Sequence, residues 1–194
     1  EIIPKEVRVT SKQSGMQFTF DRRDFRSQPL ELFNFDFYEQ AEINIILKML
    51  PRKAVLYDVG AHIGWYSLLI AKSFLEATIY AFEPVRSTFE YLKKNVELNN
   101  IKNIRVYNLG FSDKAGSITF YVNPSAPGNA SYVNLNPSGE IEKVTCRTER
   151  IDDFVGKHKK KISCIKCDVE GAEFFVLKGA EETLKTQEPI IFTE

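Results

Sequence analysis

Val55-Leu56-Tyr57-Asp58-Val59-Gly60-Ala61-His62-Ile63-Gly64 is the stretch that decides the fold of this chain. A short apolar run that holds one acid leads to two glycines four residues apart, and a second apolar run, residues 65–71, follows. Glycine at position 60 permits a sharp turn with positive φ, and Gly64 permits close packing of a following helix against the strand. The pattern therefore predicts a strand, a tight loop and a helix in succession.

A second unit of the same kind follows at once. The strand-like run 78–82 ends in Glu83 and Pro84, about twenty residues after the glycines, where an acid can accept hydrogen bonds from the hydroxyls of a ribose. From Ala54 onward, strand-like and helix-like runs alternate. This alternation predicts an α/β fold with a doubly wound, mostly parallel sheet and helices on both faces.

The periodicity of the apolar residues places the expected elements. Strands are expected at residues 55–58, 78–82, 104–109, 162–168 and 190–193, and helices at residues 65–74, 87–99 and 174–185. Two more extended runs, 117–122 and 143–147, are expected to pair with each other. They flank residues 123–139, which are rich in Pro, Asn, Ser and Gly. A loop of this length in a compact domain is typically either a functional lid or disordered, and we expect a lid.

The N-terminal part of the chain has a different pattern. Two alternating runs, 7–10 and 17–20, flank Ser14-Gly15 and predict a β-hairpin. Residues 40–50 have the spacing of an amphipathic helix that Pro51 ends. We expect residues 1–50 to form a cap on a domain of residues 51–194, with a substrate lid as the alternative. Between the hairpin and the helix lies an aromatic cluster of Phe33, Phe35, Phe37 and Tyr38.

Composition and charge exclude several classes of protein. A chain of 194 residues with 43% hydrophobic residues can bury one sizeable core. Its formal net charge is zero, and the one dense basic run, residues 157–161, is expected to be a solvated loop, so nucleic acid is disfavoured as a partner. No run approaches the ~18 apolar residues that a membrane-spanning helix needs, and no signal peptide is visible.

Three cysteines are too few for a disulfide framework. Cys164 and Cys167 have the C-x-x-C spacing of some zinc and redox sites, but they fall in a predicted strand, where residues three apart point to opposite faces. We therefore expect buried thiols, and from them a cytoplasmic location.

The glycine loop also discriminates between two kinds of cofactor. Nicotinamide and flavin folds prefer G-x-G-x-x-G, whose middle glycine lets a pyrophosphate approach the backbone, whereas this chain has His62 at that place. Asp58 stands just before the turn and suits a cationic group. An acid there and another at Glu83 favour S-adenosylmethionine, whose amino acid end carries an ammonium, over NAD. His62 itself could serve as a general base, contact the cofactor or only fill the loop, since imidazole exchanges protons near neutral pH.

A second cluster of charged residues lies at residues 165–173. Asp168, Glu170 and Glu173 follow a predicted strand, at the end of the sheet where open α/β folds place their ligands. Like charges this close either favour protonation of one carboxyl or recruit a cation, which makes acid–base chemistry or a divalent metal plausible. For Glu173 we favour a simpler role as the negative charge at the N-terminus of the next helix.

From Val55 to Glu194 the chain resembles the FkbM family of S-adenosylmethionine-dependent methyltransferases. The resemblance rests on the order and spacing of D-V-G-A-H-I-G, A-F-E-P, N-L-G-F-S-D-K-A-G, R-I-D-D-F, I-K-C-D-V-E-G-A-E, V-L-K-G-A and P-I-I-F-T-E. It implies methyl transfer to a hydroxyl of a sugar, polyketide or other small natural product. It also implies a set of cofactor contacts: Asp58, Gly60, Ala61, His62 and Gly64 at the methionine end, Glu83 and Pro84 at the ribose, Phe111 and Ser112 at the adenine, and Asp168 at the sulfonium.

The resemblance leaves the chemistry partly open. We expect an in-line displacement in which Asp168, Glu170 or His62 takes the proton, and we assign no metal ligands. Transfer to nitrogen and a non-catalytic S-adenosylmethionine-binding module are the alternatives. Methyltransferases of this fold usually add an antiparallel pair of strands beyond the fifth strand, so we expect further C-terminal sequence or a partner, such as a second copy of the chain, to cover that sheet edge.

Overall fold

The computed structural model of the protein describes residues 6–12, 14–23, 39–123, 126–131, 141–158 and 160–193. The predicted aromatic cluster and most of the predicted lid, residues 124–125 and 132–139, lie outside the described residues. Within the described residues the strands are β1 (Glu6–Thr10), β2 (Gln17–Asp21), β3 (Val55–Val59), β4 (Thr78–Phe82), β5 (Ile104–Tyr107), β6 (Gly110–Phe111), β7 (Gly116–Asn123), β8 (Ala126–Ser131), β9 (Glu142–Glu149), β10 (Cys164–Cys167) and β11 (Ile190–Thr193). The helices there are α1 (Gln40–Met49), α2 (Trp65–Ser73), α3 (Arg86–Leu98), α4 (Ile151–His158), α5 (Glu173–Lys178) and α6 (Glu181–Gln187).

The central element of the fold is a parallel sheet with the strand order β11-β10-β3-β4-β5. Its pairings are all parallel, for example Asp58 of β3 beside Ala81 of β4 on one side and Lys166 of β10 on the other. The five predicted strands are therefore confirmed, and so is the doubly wound α/β fold. The predicted strand at 162–168 is shorter, because only Cys164–Cys167 forms ladder pairs, and the one at 104–109 ends at Tyr107.

Two apolar cores lie on the two faces of this sheet. Leu56, Ile79 and Cys164 belong to the core formed with α1, α2 and α3. Tyr57, Tyr80 and Cys167 belong to the core formed with α4, α5 and α6. Residues one or three apart along a strand thus face opposite sides, as the period of two requires. The expectation that Cys164 and Cys167 are buried thiols on opposite faces is confirmed.

The N-terminal hairpin packs on α3. β1 and β2 pair antiparallel, with Val9 opposite Phe18. The Asn95 side chain of α3 accepts hydrogen bonds from the Thr19 N–H at 2.7 Å and hydroxyl at 3.0 Å, and it donates to the Thr19 carbonyl at 3.1 Å. The predicted hairpin and the helix at 40–50 are therefore confirmed, although α1 ends at Met49. Among the described residues no helix is long and apolar enough to span a membrane.

A smaller sheet with the strand order β6-β9-β7-β8 follows β5. The predicted pairing of 117–122 with 143–147 is confirmed, with Ser117 opposite Arg147. The expectation of a continuous loop at 123–139 is wrong for residues 126–131, which form β8 against β7. Phe120 and Cys146 of this sheet pack on Val85 before α3, which holds the sheet beside the end of β4.

Two helical predictions were also wrong in detail. The predicted helix at 174–185 is two helices, α5 and α6, with Gly179 between them, where a Cβ would lie 2.1 Å from the Ser112 carbonyl oxygen. No helix was predicted at residues 151–158, where Asp152 lies in the first turn of α4 and its carboxylate accepts the Thr183 N–H at 2.8 Å. Lys157, placed by prediction in a solvated loop, lies in the last turn of α4. The buried residues Ile151, Phe154 and Val155 of α4 have helical spacing in the sequence, but a segment of eight residues is short for recognition by periodicity.

Candidate active site

The ends of three neighbouring parallel strands form one site. The Gly60 N–H after β3 donates to the Phe82 carbonyl of β4 at 3.1 Å, and the Asp168 N–H after β10 donates to the Val59 carbonyl of β3 at 3.1 Å. These bonds continue the sheet past its last ladder pairs and bring the glycine loop, Glu83 and Asp168 to the same edge. Ligands of open α/β sheets bind at this carboxyl edge.

The loop after β3 has the backbone conformation that its glycines predict. Gly60 and Gly64 have φ of 80° and 95°, and His62 adopts a left-handed φ of 51° between them. The Gly64 N–H donates to the Ala61 carbonyl at 2.8 Å, which closes the turn. A Cβ on Gly64 would lie 2.6 Å from Leu68 Cδ1 and 2.7 Å from Leu92 Cδ1, so glycine lets these leucines of α2 and α3 pack against the start of α2.

Glu83 ties the glycine loop to the start of α3. Its buried carboxylate accepts the His62 N–H at 3.0 Å on Oε2 and the Val85 N–H at 2.9 Å on Oε1. Burial raises the pKa of Glu83 above its ordinary value, against the opposing effect of His62 and the two backbone hydrogen bonds. A carboxylate offers about four acceptor positions, so two hydroxyl donors could still bind here.

Asp58 is fully buried at the end of β3. Its Oδ2 accepts the Ser67 hydroxyl of α2 at 2.6 Å. Its Oδ1 has no hydrogen-bond partner among the described residues, although the Lys166 Nζ lies 3.6 Å away. A buried acceptor that lacks a donor is costly, and a cationic N–H donor is the group that would satisfy it best.

Lys166 is a site residue that the analysis of the sequence missed. It lies in β10 beside Asp58, and its Nζ lies 3.1 Å from Asp168 Oδ2 and 3.5 Å from the Gly60 carbonyl oxygen. Burial alone would lower the pKa of Lys166, but the nearby Asp58 and Asp168 carboxylates outweigh burial and raise it. The alternation in Cys164-Ile165-Lys166-Cys167-Asp168 places Lys166 and Asp168 on one face, and this was the available signal.

The three acids of the second cluster lie in different environments. Asp168 has 23% of its side chain exposed, and Glu170 lies on an exposed turn with a φ of 54°. Glu173 Oε1 accepts the Val169 N–H at 2.9 Å, and Glu173 is the first residue of α5, which matches its predicted helix-terminal role. In the described part of the chain, no three His, Cys, Asp or Glu side chains are grouped as metal ligands.

The predicted adenine contacts lie next to this edge. Phe111 is buried, and its ring packs against Phe82 with a centroid distance of 4.6 Å. Ser112 is also buried, and its N–H donates to the Glu149 carbonyl at 3.0 Å. Asn108, which precedes them, donates through its side chain to the carbonyl oxygens of Glu83 at 2.9 Å and of Pro84 at 2.8 Å. Asn108 thus connects this segment to Glu83, and the sequence pattern did not single it out.

Comparison with known protein families identifies this arrangement. Residues 58–194, which include the glycine loop, Glu83 and Asp168, match the methyltransferase FkbM domain. The chain belongs to the FkbM methyltransferase family. The resemblance to the FkbM family was predicted from Val55 to Glu194, and the family match confirms it from Asp58 onward.

Two curated proteins are similar in sequence to this FkbM chain. Methyltransferase 1 of Beauveria bassiana is 29% identical in an alignment of 152 residues that covers 68% of this chain and 60% of that protein. The hexuronic acid methyltransferase AglP of Haloferax volcanii is 30% identical over 149 residues, which are 76% of this chain and 59% of that protein. The chain therefore spans about 60% of the length of these relatives.

The solved structure supports the fold alone. Precorrin-6y C5,15-methyltransferase of Geobacter metallireducens superposes with a TM-score of 0.50 at 14% identity and covers 81% of this chain and 63% of that one. At this level of identity the shared feature is the doubly wound fold, as the sequence pattern predicted.

Proposed function

We propose that this FkbM domain binds S-adenosylmethionine at the carboxyl edge of the sheet and transfers its methyl group to an oxygen of a small hydroxyl-bearing acceptor. The observation that carries the proposal is Glu83, a buried carboxylate that the His62 and Val85 amides hold beside the glycine loop. Such a carboxylate suits a ribose diol, and the glycine loop next to it suits the amino acid end of the same cofactor.

The donor set fits this cofactor. Glu83 and Pro84 would hold the ribose, and Phe111 and Ser112 would lie by the adenine. At the other end, Asp58 Oδ1, which has the Lys166 ammonium 3.6 Å away and no hydrogen-bond partner among the described residues, would hold the methionine part together with the loop of Gly60, Ala61, His62 and Gly64. S-adenosylmethionine supplies, when bound, a methyl group on a positively charged sulfur. Asp168, the partly exposed acid of the cluster, would lie beside that sulfur.

Asp168 is also our first candidate for the group that takes the proton of the acceptor hydroxyl, and Glu170 and His62 are the others. The side chain of Asp168 is anchored on one oxygen by Lys166 at 3.1 Å. Since a sulfonium is a good leaving group, most of the rate comes from aligning the acceptor oxygen, and a weak base is enough.

The acceptor class is inferred from a relative and from charge. The name of the relative AglP includes a hexuronic acid, a compound that offers oxygen nucleophiles and no nitrogen, and this supports an acceptor of the proposed kind. The zero net charge of the chain argues against nucleic acid as the acceptor.

We also propose that residues 1–50 cap a cofactor-binding domain of residues 51–194. The hydrogen bonds between Asn95 and Thr19 support this division. We further propose a cytoplasmic location, which the buried free thiols support.

Calorimetric titration with S-adenosylhomocysteine and, separately, NADH tests the cofactor. We expect micromolar binding of the first ligand only, weakened at least tenfold by Glu83→Ala because a charged hydrogen-bond acceptor is lost.

A turnover assay tests the acceptor. It measures the S-adenosylhomocysteine released with glucuronic acid, a methyl glycoside or an amino sugar as acceptor. Asp168→Asn should lose turnover and keep cofactor binding, whereas Asp153→Asn, on the exposed face of α4, should change neither. Turnover only with the amino sugar would favour N-transfer, and binding without turnover would favour a binding module.

A further inference from the structure

Lys166 is a buried lysine in the middle of the proposed site. Only 2% of its surface is exposed, and the parallel register of β3 and β10 places it beside Asp58, which is fully buried. Burying an ammonium is expensive unless carboxylates or other acceptors surround it. A lysine at this position therefore needs an explanation, because burying an apolar side chain in the strand would cost less free energy.

Three oxygen atoms surround the ammonium. The Nζ lies 3.1 Å from Asp168 Oδ2, 3.5 Å from the Gly60 carbonyl oxygen and 3.6 Å from Asp58 Oδ1. These atoms belong to the end of β10, to the glycine loop and to the end of β3. One cation thus joins all parts of the site that are expected to contact the methionine end of the cofactor.

An aromatic ring closes the remaining side. The Lys166 Nζ lies 4.8 Å from the centroid of the Tyr66 ring, within the range of a cation–π contact. The Tyr66 hydroxyl donates to the Glu39 carboxylate, just before α1. Tyr66 belongs to α2, which begins directly after the glycine loop. The ammonium is therefore in contact with three oxygen atoms and one aromatic ring of the described fold.

We propose that Lys166 is a positioning residue of the methyl-transfer site: it anchors one oxygen of Asp168, presents the other to the acceptor, and sets the charge that a cationic cofactor meets. This inference deepens the proposed function and rests on it. Lys166 is not the proton acceptor, because the two carboxylates beside it keep it as an ammonium.

The charge of the cluster gives the inference a measurable consequence. Asp58, Asp168 and Lys166 together carry one negative charge, whereas the two acids alone would carry two. S-adenosylmethionine carries one more positive charge than S-adenosylhomocysteine. Removal of Lys166 should therefore favour S-adenosylmethionine over S-adenosylhomocysteine, by about threefold or more for charges a few ångströms apart at a screened dielectric. Loss of packing alone would weaken both ligands equally.

The test compares four proteins with the wild type: Lys166→Met, Lys166→Arg, Asp58→Asn/Lys166→Met and, as the packing control, Cys164→Ala. Cys164 lies on the same face of the same strand and is also buried. Calorimetry gives the Kd ratio of the two ligands, S-adenosylhomocysteine release gives kcat and KM with the best acceptor, and thermal unfolding gives stability.

We expect Lys166→Met to lower kcat about 10²-fold, because misplacing one group by an ångström costs about this much, and to shift the Kd ratio toward S-adenosylmethionine. Lys166→Arg should restore the wild-type ratio and part of kcat. In the double variant the cluster has the same net charge as in the wild type, so the Kd ratio of the two ligands should equal that of the wild type. Its kcat should stay low, because Lys166 no longer anchors Asp168. Cys164→Ala should lower stability and leave the ratio unchanged.

Three outcomes would overturn the proposal. The first is a wild-type kcat and ratio in Lys166→Met. The second is equal weakening of both ligands in Lys166→Met, as for lost packing, which makes Lys166 a structural ion pair only. If Lys166→Met does not fold, the double variant replaces it in the test, and a wild-type kcat in that variant is the third outcome. Failure of the wild type to bind either ligand would refute the proposed function instead, and so the two failures are distinguishable.

Discussion

The carbonyl oxygen of Asp168 occupies the space that a side chain on Gly60 would need. A Cβ built on Gly60 would lie 1.8 Å from this oxygen and 2.9 Å from the carbonyl carbon. The loop after β3 and the end of β10 therefore touch through their backbones, with only a hydrogen atom between them. This contact sets the distance between the glycine loop and Asp168, the two parts of the site expected to meet the cofactor.

We expect Gly60→Ala to destabilise the protein by about 3 kcal/mol or more. The left-handed φ of 80° costs an alanine about 1–2 kcal/mol, and the clash is with backbone, which cannot rotate away. Gly156→Ala is the matched control, since its Cβ would meet nothing within 4 Å and it lies within α4, where alanine is favoured by about 1 kcal/mol. Urea unfolding followed by circular dichroism measures both. Similar free energies for the two variants would contradict the close contact.

Binding of S-adenosylhomocysteine should weaken at acidic pH through Glu83. Burial raises the pKa of Glu83 above its ordinary value of 4.5, and only the ionised carboxylate accepts both ribose hydroxyls. The affinity should therefore fall by about tenfold per pH unit below that raised pKa, at a pH where an ordinary glutamate is still ionised. Calorimetry from about pH 8 to pH 5 measures this in the wild type and in Glu83→Gln. The variant should bind weakly with a flat profile in this range, and a parallel fall in both proteins would assign the pH dependence to another group.

The same raised pKa has the opposite effect on the ligand-free protein. The native state holds the Glu83 proton more tightly than the unfolded state does, so the stability that this group contributes is complete below pH 4.5 and is lost as the pH rises through the raised pKa. Thermal unfolding without ligand should show this loss in the wild type. Its persistence in Glu83→Gln would contradict the assignment.

Asn95→Ala should cost about 3 kcal/mol. The fully buried amide of Asn95 makes three bonds to Thr19 and donates to the Ile63 carbonyl at 2.9 Å, so it ties the hairpin to the glycine loop as well as to α3. Its removal leaves several buried polar groups without partners, each worth about 1–3 kcal/mol. Asn99→Ala is the control, because its bonds to Gln17 are partly exposed to water, which can replace them. Equal unfolding free energies for the two variants would show that the buried network carries no special weight.

The three thiols should be unreactive in the native protein. Burial raises the pKa of Cys146 to about 11 and the pKa values of Cys164 and Cys167 to about 12, so almost no thiolate forms at neutral pH. Titration with Ellman's reagent at about pH 8 should show little reaction in the folded protein and three thiols per chain in guanidinium chloride. One thiol that reacts rapidly in the native state would indicate an open or reactive site that this structure does not show.

Local sequence was sufficient for the elements with strong periodicity. The strands at 78–82 and 190–193 have the predicted bounds, because short apolar runs rich in β-branched and aromatic residues favour strands in a parallel sheet. The left-handed φ of His62 follows from the same local logic, since the turn between two glycines needs a residue that tolerates it. The close approach of Gly179 to the Ser112 carbonyl, by contrast, is a contact between residues distant in sequence that no local pattern specifies.

The sequence by itself determined the doubly wound sheet, the glycine loop, the acids at the ends of β3, β4 and β10, and membership of the FkbM family. Each of these follows from local periodicity, from backbone freedom at glycine or from residue types in a fixed order. Only the tertiary structure decided that Lys166 joins Asp58 to Asp168, 3.6 Å and 3.1 Å away. The physical reason is that pairing across strands distant in sequence brings the charges together, and the energy of a buried charge depends on neighbours that no local pattern specifies.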